Sequence, residues 1–197
     1  MIRTATANDL DALYEVCLRT GAAGSDASDR FENPRILGQV YVGPYVVLDG
    51  CVPLTYEDHV GAAGYALGAI DTDSFHSECE KNWWPSLRAK YPDPGPAPAT
   101  YDQELMSHIH RPPRPPQEVV AGYPAHLHID LLPRIQGMGL GREMITRLLE
   151  ELRSRGASGV HLEVDINNQR AIGFYEHLGF GTLTIEEDVR IMGRSLV

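Results

Sequence analysis

Gln136-Gly137-Met138-Gly139-Leu140-Gly141 is the stretch whose reading governs everything around it. Ahead of it, Ala125 to Leu132 (A-H-L-H-I-D-L-L) alternates with the two-residue period of a strand, and Pro133 ends the run. Behind it, Leu140, Met144, Ile145, Leu148, Leu149 and Leu152 fall on one helical face. Glycines at alternate positions let the backbone turn tightly and leave its N–H groups uncovered. Those groups sit at the positive end of a helix dipole, a seat for a phosphate or diphosphate. A Walker loop needs Gly-Lys followed by Ser or Thr, but Arg142-Glu143 follows Gly141, so that reading fails. The dinucleotide pattern G-x-G-x-x-G fails too, because Arg142 stands at its third glycine. What remains is Q-x-x-G-x-G on Gln136, Gly139 and Gly141, or a plain strand-to-helix turn.

A second segment bears on that choice. Gly156 to Gly159 makes a turn, and Val160 to Val164 alternates as a strand. Asn168 then stands as an N-cap and Gly179 as a C′ residue around a short helix. The pattern from Asn168 to Phe180 is N-x-x-A-x-x-F-Y-x-x-x-G-F. The glycine loop and this pattern, in this order and across one helix and one strand, resemble the acyl-CoA site of the GNAT superfamily of N-acetyltransferases. The resemblance implies an α+β fold: a mixed, mostly antiparallel sheet of about six or seven strands with helices on both faces.

Bulk properties set outer limits. A chain of 197 residues with 43% hydrophobic and 22% charged content buries one core, so 1–197 reads as a single domain. A net charge of −10 opposes nucleic acid; it suits a cationic amine, and plain acidic solvation explains it equally. Cys17, Cys51 and Cys79 are odd in number, without metal spacing, and fit reduced thiols in the cytoplasm. No apolar stretch is long enough for a signal peptide or a membrane span, since Val60 to Ile70 is short and glycine-rich.

Along the chain, Ile2 to Ala5 reads as a strand and Asn8-Asp9 opens a helix to about Thr20. Gly21 to Asp29 reads as a flexible loop. Tyr45 to Leu48 and Val60 to Ile70 read as paired strands, and Asp71 to Tyr91 as mostly helical. Residues 92–118 are proline-dense, so no continuous helix fits there beyond a short one near Tyr101 to His108. This segment reads as an insertion over one side of a cleft, or as a surface loop. Phe180 to Glu186 and Val189 to Met192 supply the last strands.

A narrower resemblance covers most of the chain from Tyr41. Tyr41-Val42-Gly43-Pro44-Tyr45, Gly64 to Asp71, Trp83-Trp84-Pro85 and Ile191 to Leu196 look like the acetyltransferase-like domain at the C-terminus of animal O-GlcNAcases. That domain is generally held to lack a working acetyl-CoA site. The present chain departs from it in carrying the full glycine loop.

The GNAT resemblance implies acetyl-CoA as co-substrate and an amine as acceptor, with a possible homodimer. Main-chain groups of Gln136, Gly137, Met138, Gly139, Leu140, Gly141 and Arg142 would meet the diphosphate, and Leu131 and Leu132 the pantetheine arm. One of Arg134, Arg142 and Arg170 would meet the 3′-phosphate, although each reads more readily as a solvated surface charge. Tyr175 matches the family tyrosine that protonates or hydrogen-bonds the leaving sulfur, or it only packs its helix between Phe174 and Leu178, and Asn168 would contact the cofactor arm or only cap its helix. From spacing, His126, His128 and Asp130 share one strand face. Asp130 is the expected general base, directly or through water and with the histidines as a proton relay, or else a strand residue bonded to a neighbouring segment; an H-x-H-x-D zinc site is the lesser alternative. Trp84, Tyr101 and His128 are the expected acceptor contacts, beside Trp83 and Tyr123 as an aromatic wall or as core. The expected function is an acetyl-CoA-dependent N-acetyltransferase acting on a small amine or lysine, against a non-catalytic module binding acyl-CoA or protein.

Overall fold

The computed structural model describes residues 1–197. Strands β1 (Ile2–Thr4), β2 (Cys51–Glu57), β3 (Ala62–Ala69), β4 (Ala125–Leu131), β5 (Gly159–Asp165), β6 (Gly181–Glu186) and β7 (Val189–Ser195) form one sheet in the order β1-β2-β3-β4-β5-β7-β6. Helices α1 (Leu10–Thr20), α2 (Ile36–Tyr41) and α3 (Gly43–Val47) precede β2. Between β3 and β4 lie α4 (Thr72–Asn82), α5 (Trp84–Lys90), α6 (Tyr101–His110) and α7 (Gln117–Gly122). Helix α8 (Leu140–Ser154) joins β4 to β5, and α9 (Gln169–His177) joins β5 to β6. No helix is long and apolar enough to cross a membrane.

Alternation along β3 shows how the sheet sorts its two faces. Ala66 and Gly68 turn toward α8, where a Cβ on Gly68 would meet Leu148 Cδ1 at 3.0 Å. Tyr65 and Leu67 turn the other way, into a core shared with Leu13, Val16 and Trp84. Met144, Ile145, Leu148 and Leu152 of α8 are fully buried. Each such side chain stabilises by about 1.5–3 kcal/mol when removed from water, so packing rather than propensity holds α8 in place.

Every neighbouring strand pair is antiparallel except β4–β5. That parallel pair registers only Ala125↔Val160 and His126↔His161, and then the strands part. Beyond this point the facing edges of β4 and β5 have no strand partner, which leaves main-chain donors and acceptors looking into a cleft. The split in mid-sheet positions the site.

One expected element needs correction. Tyr45 to Leu48 does not pair as a strand: Tyr45, Val46 and Val47 lie in α3, which Pro44 starts with its fixed φ. The strand paired with β3 is instead Cys51–Glu57, entered through Gly50 at φ 77°. Helices α2 and α7 were not foreseen; each has only six residues, too short for a clear period. The proline-dense stretch holds α6, capped by Thr100 Oγ accepting from Gln103 N at 3.2 Å. Arg111 ties its end to Asp93 through two hydrogen bonds of 2.6 and 2.9 Å.

Candidate active site

The glycine loop leaves β4 and enters α8 at Leu140. Gly137 and Gly139 have φ of 76° and 81°, a left-handed conformation that a side chain would strain. Such alternation turns successive N–H groups to one side. None of the N–H groups from Gly137 to Arg142 has an acceptor within the protein. A Cβ built on Gly137 or Gly139 would meet nothing within 4 Å, so the loop's outer side is open. Arg142 and Arg170 are exposed and unpaired, whereas Arg134 is bound to Asp58 at 2.8 Å. An unsatisfied row of donors at a helix N-terminus, with the unpaired Arg142 in the first turn of that helix, fits a diphosphate.

The neighbouring strand end is partly used. Gln136 Nε2 donates to Leu131 O at 2.8 Å, so the glutamine braces the turn by its side chain. Leu132 N donates to Ala63 O at 2.8 Å, and the Leu132 side chain is buried on the Tyr65 face. Leu132 therefore has no free amide to offer a pantetheine arm, contrary to expectation. By alternation, the main-chain groups of Ile129 and Leu131 face the cleft instead.

His126, His128 and Asp130 do share one face of β4, and each has been given partners from distant elements. Tyr65 O–H donates to Asp130 Oδ2 at 2.5 Å, and His128 Nε2 lies 3.0 Å from the same oxygen. An ionised carboxylate only accepts, so this network puts the proton of neutral His128 on Nε2. Its Nδ1 lone pair is then free and has no protein partner. Asp130 is thus occupied orienting a histidine, and the group left open for a proton is on His128. His126 is locked: Thr72 Oγ donates to Pro124 O and lies 2.8 Å from Nδ1, while Tyr45 Oη lies 2.8 Å from Nε2. Burial, with His161 nearby, holds its pKa well below the ordinary histidine value. No group of three His, Cys, Asp or Glu side chains is arranged to hold a metal ion.

A cavity of ≈ 440 Å³ opens where β4 and β5 part. Tyr41, Tyr45, Phe75 and Trp84 line it from the helical side, and Pro112, Pro113 and Pro115 from the proline-dense segment. His128 and Glu163 face it from the two strands. Surrounding protein, aided by Glu186, pushes the Glu163 carboxyl above its ordinary value. Trp84 is buried, and its Nε1 has no partner. Trp83 is spent elsewhere, donating from Nε1 to Gln39 O at 2.9 Å.

The remaining candidates divide. Tyr175 is 8% exposed, packed on Phe174 and Phe180, and its hydroxyl has no protein partner. Burial and the Asp130 charge push that phenol well above its ordinary value, so it keeps its proton. Asn168 Oδ1 accepts from Ala171 N at 3.1 Å and so caps α9. Tyr101 does not reach the cavity: it is 45% exposed, against Phe31 and under Arg30. Tyr123 accepts His161 Nδ1 on its carbonyl at 2.7 Å and packs over Gly159 and Gly193. Sequence reasoning missed Tyr65, Tyr45 and Glu163. For Glu163 a signal existed: His126-Leu-His-Ile-Asp130 and His161-Leu-Glu-Val-Asp165 are near copies on the two strands that part.

Comparison with known proteins agrees with this geometry. The acetyltransferase (GNAT) family model matches residues 64–180. Protein O-GlcNAcase of Rattus norvegicus is 28% identical over 201 residues, 99% of this chain but only 22% of that relative. The [ribosomal protein bS18]-alanine N-acetyltransferase of Escherichia coli K12 is 38% identical over 71 residues, 36% of this chain and 48% of that enzyme. The crystal structure of SsHAT matches with a TM-score of 0.92 at 36% identity, covering 100% of this chain and 98% of that one. With its glycine loop, its parted β4 and β5 and these matches, the chain belongs to the GNAT family of acetyltransferases, which use acetyl-CoA as acyl donor.

Proposed function

We propose that residues 1–197 form one acetyltransferase domain that moves an acetyl group from acetyl-CoA to a primary amine, with His128 as general base. The observation that carries this reading is the His128–Asp130 pair: a half-buried carboxylate fixes Nε2–H and leaves Nδ1 open beside the cleft. Main-chain N–H groups from Gly137 to Arg142 hold the diphosphate, and Ile129 and Leu131 offer the pantetheine arm a strand edge. Holding both reactants in one cleft supplies the proximity term.

His128 Nδ1 takes a proton from the ammonium, which frees the nitrogen lone pair to attack the thioester carbonyl carbon. A C–N bond forms while the Ile129 N–H, on the cleft side of β4, meets the developing oxyanion. As the C–S bond breaks, Tyr175 O–H delivers its proton to sulfur and is restored by the proton the amide nitrogen sheds. The net change is ammonium plus thioester to amide, free thiol and one proton. Burial keeps the resting phenol protonated and also makes it the weaker acid, so its proton passes to sulfur only in concert with its replacement from the amide nitrogen. On this reading residues 92–118 are an insertion over the cleft. Three free, buried cysteines suit work in the cytoplasm, and pairing into a homodimer is the expected assembly.

The test is release of free thiol from acetyl-CoA across an amine panel, by wild type and His128→Gln. Turnover that the substitution abolishes supports the reading. Tight acetyl-CoA binding without turnover on any amine favours a non-catalytic acyl-CoA-binding module instead.

A further inference from the structure

The walls of the cavity carry information about the acceptor that the transfer chemistry does not require. We propose that the acceptor is a small primary amine with an aromatic body, bound as its ammonium in the β4–β5 cavity, rather than the lysine of a folded protein. This rests on the transferase reading above and names the substrate class of the same site.

Size is the first argument. A cavity of ≈ 440 Å³ is in the range that encloses most of a small organic ligand and is wider than a linear aminobutyl chain fills. Pro112, Pro113 and Pro115 form part of its wall, in a segment anchored by the Arg111–Asp93 pair.

Wall chemistry is the second argument. Tyr45 and Phe75 stack at 4.6 Å, Phe75 meets the His126 ring edge-on at 5.0 Å, and Tyr41 stacks with His128 at 6.0 Å. These rings present faces and edges to one open-mouthed cavity, an arrangement in which another ring gains by packing. Charge is the third. No lysine or arginine lines the cavity, whereas Glu163, Asp165 and Asp188 do. None of these carboxylates is in a salt bridge. Burial lowers the pKa of His76, His108, His126 and His161, so they add no opposing positive charge at neutral pH. An apolar aromatic chamber with an acidic lip selects a cation on a ring-bearing body.

The test is calorimetric titration of the full chain, with and without unacetylated CoA so that no transfer intervenes. The probes are 2-phenylethylamine, its neutral analogue 2-phenylethanol, cadaverine and Nα-acetyl-lysinamide. The expected result is 2-phenylethylamine binding at least about tenfold tighter than cadaverine or the lysine amide, a preference of the size a buried ring supplies. Glu163→Gln, at an exposed position, should weaken the amine about threefold to tenfold and leave 2-phenylethanol unchanged. Phe75→Ala should weaken both ring-bearing probes. Equal or tighter binding of the lysine amide or cadaverine overturns the proposal, as does a Phe75→Ala protein that binds 2-phenylethylamine as wild type does. The two readings fail differently. Ring-selective binding without thiol release from any amine sinks the transferase and keeps the cavity assignment. Thiol release with the lysine amide and no 2-phenylethylamine binding does the reverse.

Discussion

The glycine loop and the β4–β5 cavity are built from opposite materials. In the loop the functional groups are main-chain N–H donors, and the side chains point away; Met138 is 67% exposed. In the cavity the functional groups are side chains, and the backbone only spaces them. The loop is complete within one short stretch of chain. The cavity joins Tyr45 to His126 across 81 positions, and the support behind His128 joins Tyr65 to Asp130 across 65. A site made of backbone constrains only where glycine must be. A site made of side chains depends on which strands the fold brings side by side.

That contrast predicts separable effects, and the largest belongs to the cavity. His128→Gln should lower kcat by about 10²–10⁴-fold while acetyl-CoA affinity stays as in wild type. A loss of cofactor affinity instead would merge the two regions. In the loop, Gly139→Val forces a β-branched residue to φ 81°, which costs more than the ~1–2 kcal/mol of an ordinary side chain. Acetyl-CoA affinity by calorimetry should drop about tenfold or more, with kcat at saturation little changed. Tyr175→Phe should lower kcat roughly tenfold without changing affinity, since a thiolate leaves with modest help. Unaltered turnover would remove Tyr175 as the acid.

Stability should follow the cavity's histidines rather than the loop. A histidine whose folded pKa is lowered stays neutral in the native state, while the unfolded chain takes up a proton below about 6.5. Stability is therefore full above that value and declines as pH falls toward 5, because the unfolded state binds more protons. With His126, His161, His108 and His76 all lowered, Tm should fall steadily over this window. A flat profile would mean that these rings are not held neutral. The smallest effect is at the other end of the cleft. Asn168→Ala removes the α9 cap, costing about 1 kcal/mol, or about 2–4 °C in Tm for a chain of this size.

Legibility in the sequence follows the same division. Strand β4, the loop and α8 could be read outright, because glycine spacing and helical period are local. So could α9, whose Asn168 cap and Gly179 at φ 81° stand where the residues require. Tyr45 to Leu48 misled because Tyr-Val-Val is strand-like by composition, and only the preceding Pro44 argues for a helical turn. Tyr101 looked like an acceptor contact because it is aromatic within the insertion, yet it packs on Phe31. His128 was visible as a face-mate of Asp130, but not as the freer of the two. That distinction needs Tyr65, which reaches Asp130 only because Tyr65 and Asp130 are register partners across β3–β4.

The most direct test is a titration of labelled protein with acetyl-CoA, following the backbone amide signals of Gly137 to Arg142 by NMR. These amides should shift together and become protected from exchange on binding, more than amides on the distant β6–β7 hairpin. Saturable binding that leaves this row unshifted and exchanging as before would contradict the account.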